Sequence, residues 1–124
     1  MIRPDTNFVL ALLVPDRRHE HARALALAQR HGPFVVSESV LVETCWVLES
    51  SYAVSRKNVA VLMSDALESE HLVAWDSVLA RRALELMRED PRLSVVDCLL
   101  AASTLEGDAV LTFDTRLAQV IERL

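Results

Sequence analysis

The stretch Phe34-Val35-Val36-Ser37-Glu38-Ser39-Val40-Leu41-Val42-Glu43 decides the fold. Three consecutive apolar residues, two of them β-branched, suit a short strand buried on both faces. Gly32-Pro33 punctuates the chain before it, and the serines after it supply cap chemistry. A helix then runs from about Ser39 to Ser51, with Val40, Glu43 and Val47 on one side and Leu41, Cys45 and Leu48 on another. A strand leading straight into a helix is half of a βαβ unit, whose strands are parallel and covered by helices.

Outward from this stretch the alternation continues. Towards the N-terminus, Met1–Pro4 is a short strand candidate, and Asp5-Thr6-Asn7 caps a helix over about Phe8–Leu13. Pro15-Asp16 breaks it, and a second helix, about Arg17–His31, carries an Ala/Leu stripe. Towards the C-terminus, Ser55 caps a helix over about Arg56–Glu68, and Leu72–Trp75 is a third strand. Asp76 or Ser77 caps a helix to about Glu89, and Pro91 ends that region. Val95–Glu106 reads as a helix closed by Gly107, Ala109–Thr112 as a fourth strand, and a last helix begins after Asp114. The expected fold is a three-layer α/β/α domain over residues 1–124, around a parallel sheet of four, at most five, short strands.

Composition fits one domain of ordinary size. The 124 residues are 52% hydrophobic and 25% charged, with two Gly and four Pro, which leans towards helix. No apolar run approaches the roughly 18–20 residues of a membrane span, and the N-terminus lacks a signal-peptide pattern. Cys45 and Cys98 make no CxxC and no disulfide framework, so a reducing cytoplasm is the expected location, with no membrane partner. A net charge of −5 argues against bulk electrostatic attraction to nucleic acid. It leaves room for a locally basic surface: Lys57 is the single lysine among 13 basic residues, and arginine suits phosphate recognition.

Four acids stand at element junctions or inside apolar stretches: Asp5, Glu43, Asp97 in Ser-Val-Val-Asp-Cys-Leu-Leu-Ala-Ala, and Asp114 ending Ala-Val-Leu-Thr-Phe-Asp. Carboxylates among Val, Leu and Phe need a cation or hydrogen-bond donors nearby. Asp5 and Asp114 follow strands, and in open parallel sheets sites form at the carboxyl ends of strands. Asp97 sits within a helix, where capping does not account for it. Oxygen ligands gathered there suit a hard cation, Mg²⁺ or Mn²⁺. Four such carboxylates would repel one another without the cation, so neutralising Asp5 or Asp114 should stabilise the metal-free protein. His19 and His21 face different sides of a helix, and neither His nor Cys has zinc-like spacing.

The strand-Asp-Thr-Asn start, Ser-Glu-Ser-Val-Leu-Val-Glu-Thr-Cys-Trp-Val-Leu, Val-Val-Asp-Cys-Leu-Leu-Ala-Ala and Leu-Thr-Phe-Asp-Thr-Arg-Leu together resemble the PIN domain. Length and element order resemble its VapC-type bacterial branch, the toxins of toxin–antitoxin pairs. The resemblance implies a Mg²⁺-dependent ribonuclease that cleaves RNA, forms a homodimer and is blocked by a small cognate antitoxin. It implies Asp5 and Asp97 as direct metal ligands, Asp114 binding directly or through water, and Glu43 holding a water or a second ion. Asn7 and Thr112 would orient these groups, and Arg116 would touch RNA phosphate. Pro4 departs from the pattern, because proline removes a ladder donor from what should be a central strand. A partner would be met by an apolar stripe drawn from Leu12, Leu13, Trp46, Val47, Leu62 and Met63.

Two other functions compete. A phospho-acceptor receiver domain has this size, but it needs an acidic pair after its first strand and a late lysine; here Thr6 follows Asp5, and Lys57 lies in a helix. A degenerate PIN domain would bind partners without cleaving RNA.

Overall fold

The computed structural model describes residues 1–16 and 18–124. Helices dominate: α1 Thr6–Leu13, α2 Arg18–His31, α3 Glu38–Ser50, α4 Arg56–Glu68, α5 Ser77–Glu89, α6 Val95–Ser103 and α7 Thr115–Arg123. The strands are β1 Phe34–Val36 and β2 Leu72–Ala74, paired in parallel with Val35 opposite Val73. The fold is therefore mixed α/β with a parallel sheet. Arg17, expected to open the second helix, lies outside the described residues.

Most helices start where a small polar side chain satisfies backbone N–H groups that have no partner within the helix. Ser37, Ser55 and Ser94 cap α3, α4 and α6 through their hydroxyls. Asp5, Asp76 and Asp114 cap α1, α5 and α7 through Oδ1. Of the two cap candidates for α5, Asp76 serves. The expected helix to Glu106 is α6 followed by a 3-10 turn, Thr104–Glu106, and Gly107 ends it in the left-handed region at φ 100°. Gly32 closes α2 by donating its N–H to the Ala28 carbonyl, and a Cβ there would strike that same oxygen.

The sheet is smaller than expected: two strands among the described residues, not four or five. Met1–Pro4 lies beside β1 but makes a single rung, from the Val35 N–H to the Ile2 carbonyl, at 2.9 Å. In a parallel ladder the next rung would run from the N–H of residue 4 to the Val35 carbonyl, and proline has no N–H. Ala109–Thr112 is not a strand either. Among the described residues no backbone hydrogen bond ties 109–113 to another segment, and Leu111 and Phe113 are wholly exposed. A β-prone sequence becomes a strand only beside an edge that offers partners, and the one-rung N-terminal segment is a poor edge.

The core is built by α3, β1, α4, β2, α5 and α6, around Val36, Leu41, Leu48, Val59, Met63, Leu72, Leu84, Met87 and Leu93. Met63, expected on a partner-facing stripe, is fully buried here, and Leu12, Leu13, Val47 and Leu62 pack partly against the core. Trp46 alone of that set is largely open, at 65%. Arg56 staples three segments: its Nε–H donates to Glu49 Oε1 at 2.8 Å, and Nη1 donates to the Pro91 and Arg92 carbonyls. Among the described residues no helix is long and apolar enough to cross a membrane.

Cys45 on α3 and Cys98 on α6 are both fully buried and unpaired. Burial pushes the Cys45 thiol up to about 12, helped by the Glu49 carboxylate and by Cys98. Cys98 is likewise raised to about 12, by burial first and then by Asp97. The unfolded chain releases these protons near pH 9.0, while the folded chain holds them to about 12. Their contribution to stability is therefore complete below pH 9 and is lost as the pH climbs towards 12. A Cys45→Ala/Cys98→Ala variant should lose less stability than the parent between pH 8 and 11, measured as urea midpoints. Parallel losses in the two proteins would show that the thiols play no part.

Candidate active site

Each candidate acid takes its position from a helix. Asp5 is the N-cap of α1, its Oδ1 accepting from the Phe8 N–H at 2.9 Å. Asp114 is the N-cap of α7, its Oδ1 accepting from Arg116 at 2.9 Å and Leu117 at 3.2 Å. Thr112 braces Asp114, since its Oγ1 accepts the Asp114 N–H at 2.9 Å. Asp97 is half-buried and is the third residue of α6, its own N–H donating to Ser94 Oγ at 3.2 Å. That position corrects the reading of Asp97 as an acid without a local reason: the first turn of a helix favours a negative charge. Glu43 projects from the middle of α3 and is exposed.

A series of clefts links several of these residues. A groove of 300 Å³ between α1 and α2 is lined by Asp5 and Asn7. A cleft of 350 Å³ between α1 and α3 is lined by Asn7 and Glu43, together with Asp16 and Tyr52. A larger cleft of 840 Å³ between α3, α5 and α6 is lined by Glu43, Trp46, Leu79 and Leu100, with Glu38 and Asp108 among its acids. Asp97 lines none of these three, although its neighbour Val96 lines the largest. Asp114 also lies outside them, just after the largely exposed 109–113 segment.

Among the described residues no group of three or more His, Cys, Asp or Glu side chains is gathered closely enough to hold a metal ion. The donors suit a hard cation in chemical type, but their spacing does not close around one. The buried polar atom left without a partner, Thr44 Oγ1, offers no pointer either, because Thr44 lines neither of the clefts that Glu43 lines. Arg116 is exposed at the start of α7, and its charge helps hold the Asp90 carboxyl below its usual range, behind the larger effect of Arg92. Arg92 grips Asp90 through two hydrogen bonds, at 2.9 and 3.1 Å. Sequence reasoning missed the lining residues Arg23, Glu38 and Asp108. Arg23 and Leu27 were legible only as an i, i+4 pair on α2.

Since Asp5 and Asp114 act as caps and no acidic cluster forms among the described residues, the expected relief of repulsion has no structural basis here. Asp114→Ala should instead lower the melting stability of the metal-free protein by about 1 kcal/mol, and Asp114→Asn should be near neutral, because Asn caps about as well as Asp. Thermal unfolding in EDTA measures both; a clear rise in melting temperature for Asp114→Asn would restore the repulsion account.

The mixed α/β fold agrees with what comparison with known proteins finds. No curated protein and no solved structure matches the chain. The family model described as PIN domain matches residues 2–122, a span that contains Asp5, Glu43, Asp97 and Asp114. A match over nearly the whole length is decisive, and the chain belongs to the PIN domain family.

Proposed function

We propose that this protein is a Mg²⁺-dependent ribonuclease, with Mn²⁺ as a substitute, and that it acts as the VapC-type toxin of a toxin–antitoxin pair. The PIN domain is generally a nuclease fold, and membership over residues 2–122 is the observation that carries the reading. All four acids of the expected ligand set are present, three of them at helix N-termini.

A divalent ion, when bound, would neutralise phosphate charge and lower the pKa of a water molecule. Asp5 and Asp97 are its proposed direct ligands, Asp114 would bind it directly or through water, and Glu43 would hold a metal-bound water or a second ion. The chain's own contributions follow from geometry. Both caps use Oδ1, so the second oxygen of Asp5 and of Asp114 is left for another partner. Thr112 fixes the backbone that carries Asp114, and Asn7 stands between the Asp5 groove and the Glu43 cleft. Arg116 presents an exposed guanidinium to RNA phosphate. Because the acids are not gathered in this structure, gathering them requires side chains or the 109–113 segment to move.

The antitoxin's proposed seat is the 840 Å³ cleft. Its floor is apolar, with Trp46 exposed, and its acids are Glu38, Glu43 and Asp108. That combination suits an amphipathic segment with basic flanks. The toxin reading also carries a homodimer and a cytoplasmic location. A second reading, a PIN domain that binds without cleaving, is favoured by the absence of a gathered acidic group among the described residues.

One substitution separates the two. Asp97→Asn should abolish RNA cleavage, by about a hundredfold or more, while circular dichroism stays that of the parent. Mg²⁺ should raise the melting temperature of the parent and leave that of Asp97→Asn unchanged. Cleavage undiminished in EDTA would sink the metal mechanism, and no cleavage by the parent with Mg²⁺ or Mn²⁺ would favour the binding module.

A further inference from the structure

The groove between α1 and α2 is one of two adjoining hollows. The first, of 300 Å³, and the second, of 440 Å³, share Asp5, Phe8 and Leu27 as lining residues, so they adjoin at Asp5 as two stretches of one channel-like surface. Arg23 lines the first hollow, and Arg3 and His31 line the second. Arg23, Leu27 and His31 are four residues apart, which puts them on one stripe of α2. The arginines thus stand on either side of the acid, over a floor made of the Phe8 ring and Leu27. Phe8 is held edge-on to Phe34, with ring centroids 5.5 Å apart, so its ring is a fixed surface. Glu20 also lines the Arg23 end.

The contrast with the other clefts decides the occupant. Among the described residues, the 840 Å³ and 350 Å³ clefts that meet at Glu43 are lined by acids and by no Arg, Lys or His. A polyanion is repelled there more than at the α1–α2 channel, where Arg3 and Arg23 offset Asp5 and Glu20. Guanidinium groups beside an aromatic and apolar floor match a single strand, whose phosphates take the charge while its bases lie against the floor. We propose that this channel is the track for single-stranded RNA, with Arg3 and His31 on one side and Arg23 on the other holding phosphates and leading the strand across Asp5. The assignment rests on the ribonuclease reading and adds to it the path of the substrate.

The test is binding without cleavage: fluorescence anisotropy of a labelled single-stranded RNA in EDTA. Arg3→Glu/Arg23→Glu should raise Kd about tenfold and reduce the slope of log Kd against log salt by about 1.4, the share of two phosphate contacts on a single strand. Arg81→Glu, on α5 in a hollow between α4 and α5, should bind like the parent. Arg3→Gln/Arg23→Gln provides a milder pair should charge reversal disturb folding, and it should weaken binding in the same direction. An affinity within twofold of the Arg81→Glu control overturns the track and leaves the stripe to a protein partner. If cleavage in Mg²⁺ persists alongside that result, only the track fails. Arginine-dependent binding without cleavage supports the track and overturns the nuclease.

Discussion

Helix starts are the constraint on which this structure depends. The first N–H groups of a helix have no partner inside it, and with seven helices and little sheet among the described residues that cost recurs at junction after junction. Asp and Ser side chains meet it at α1, α3, α4, α5, α6 and α7. A cap substitution typically costs about 1 kcal/mol, a large share of the few kcal/mol by which a domain is stable. Two of the four candidate catalytic acids belong to this set. Capping and ligation are compatible for a carboxylate, since the cap takes one oxygen and fixes the direction of the other. A serine cap has no second oxygen to offer, which separates Asp5 and Asp114 from Ser37, Ser55 and Ser94 in what they can do beyond folding.

The same physics explains which parts of the fold were legible in the residues. Caps and stops are local signals, so α3, α4, α5 and α7 lie within a residue or so of expectation. Phe34–Val36 was legible as a buried apolar run after Gly32-Pro33, Leu72–Ala74 as a short apolar run between polar residues and a helix cap, and each has the other as partner. Ala109–Thr112 has the same local character without a partner edge. Pairing is a non-local property that composition does not carry, and Pro4 weakens the edge that the N-terminal segment adds beside β1. For the site, residue type was legible and spacing was not. Four carboxylates announce oxygen chemistry, but how closely they approach depends on the packing of α1, α3, α6 and α7.

Charge is distributed more informatively than the total of −5 suggests. Acids dominate the two clefts that meet at Glu43, whereas Arg3, Arg23 and His31 line the channel past Asp5. Within roughly a Debye length, about 8 Å at physiological salt, such local fields outweigh the average. Asp5 and Glu43 therefore stand at a boundary between a surface where two arginines offset Asp5 and Glu20 and one that attracts a polycation. Asn7, which lines both the Asp5 groove and the Glu43 cleft, occupies that boundary as a neutral amide able to donate and to accept. On the proposed reading, substrate and inhibitor approach from opposite sides of one residue. An inhibitor seated in the acidic cleft then need not cover the RNA track. It has only to reach Glu43 with a cation of its own, because a carboxylate engaged by a guanidinium is no longer available to water or metal.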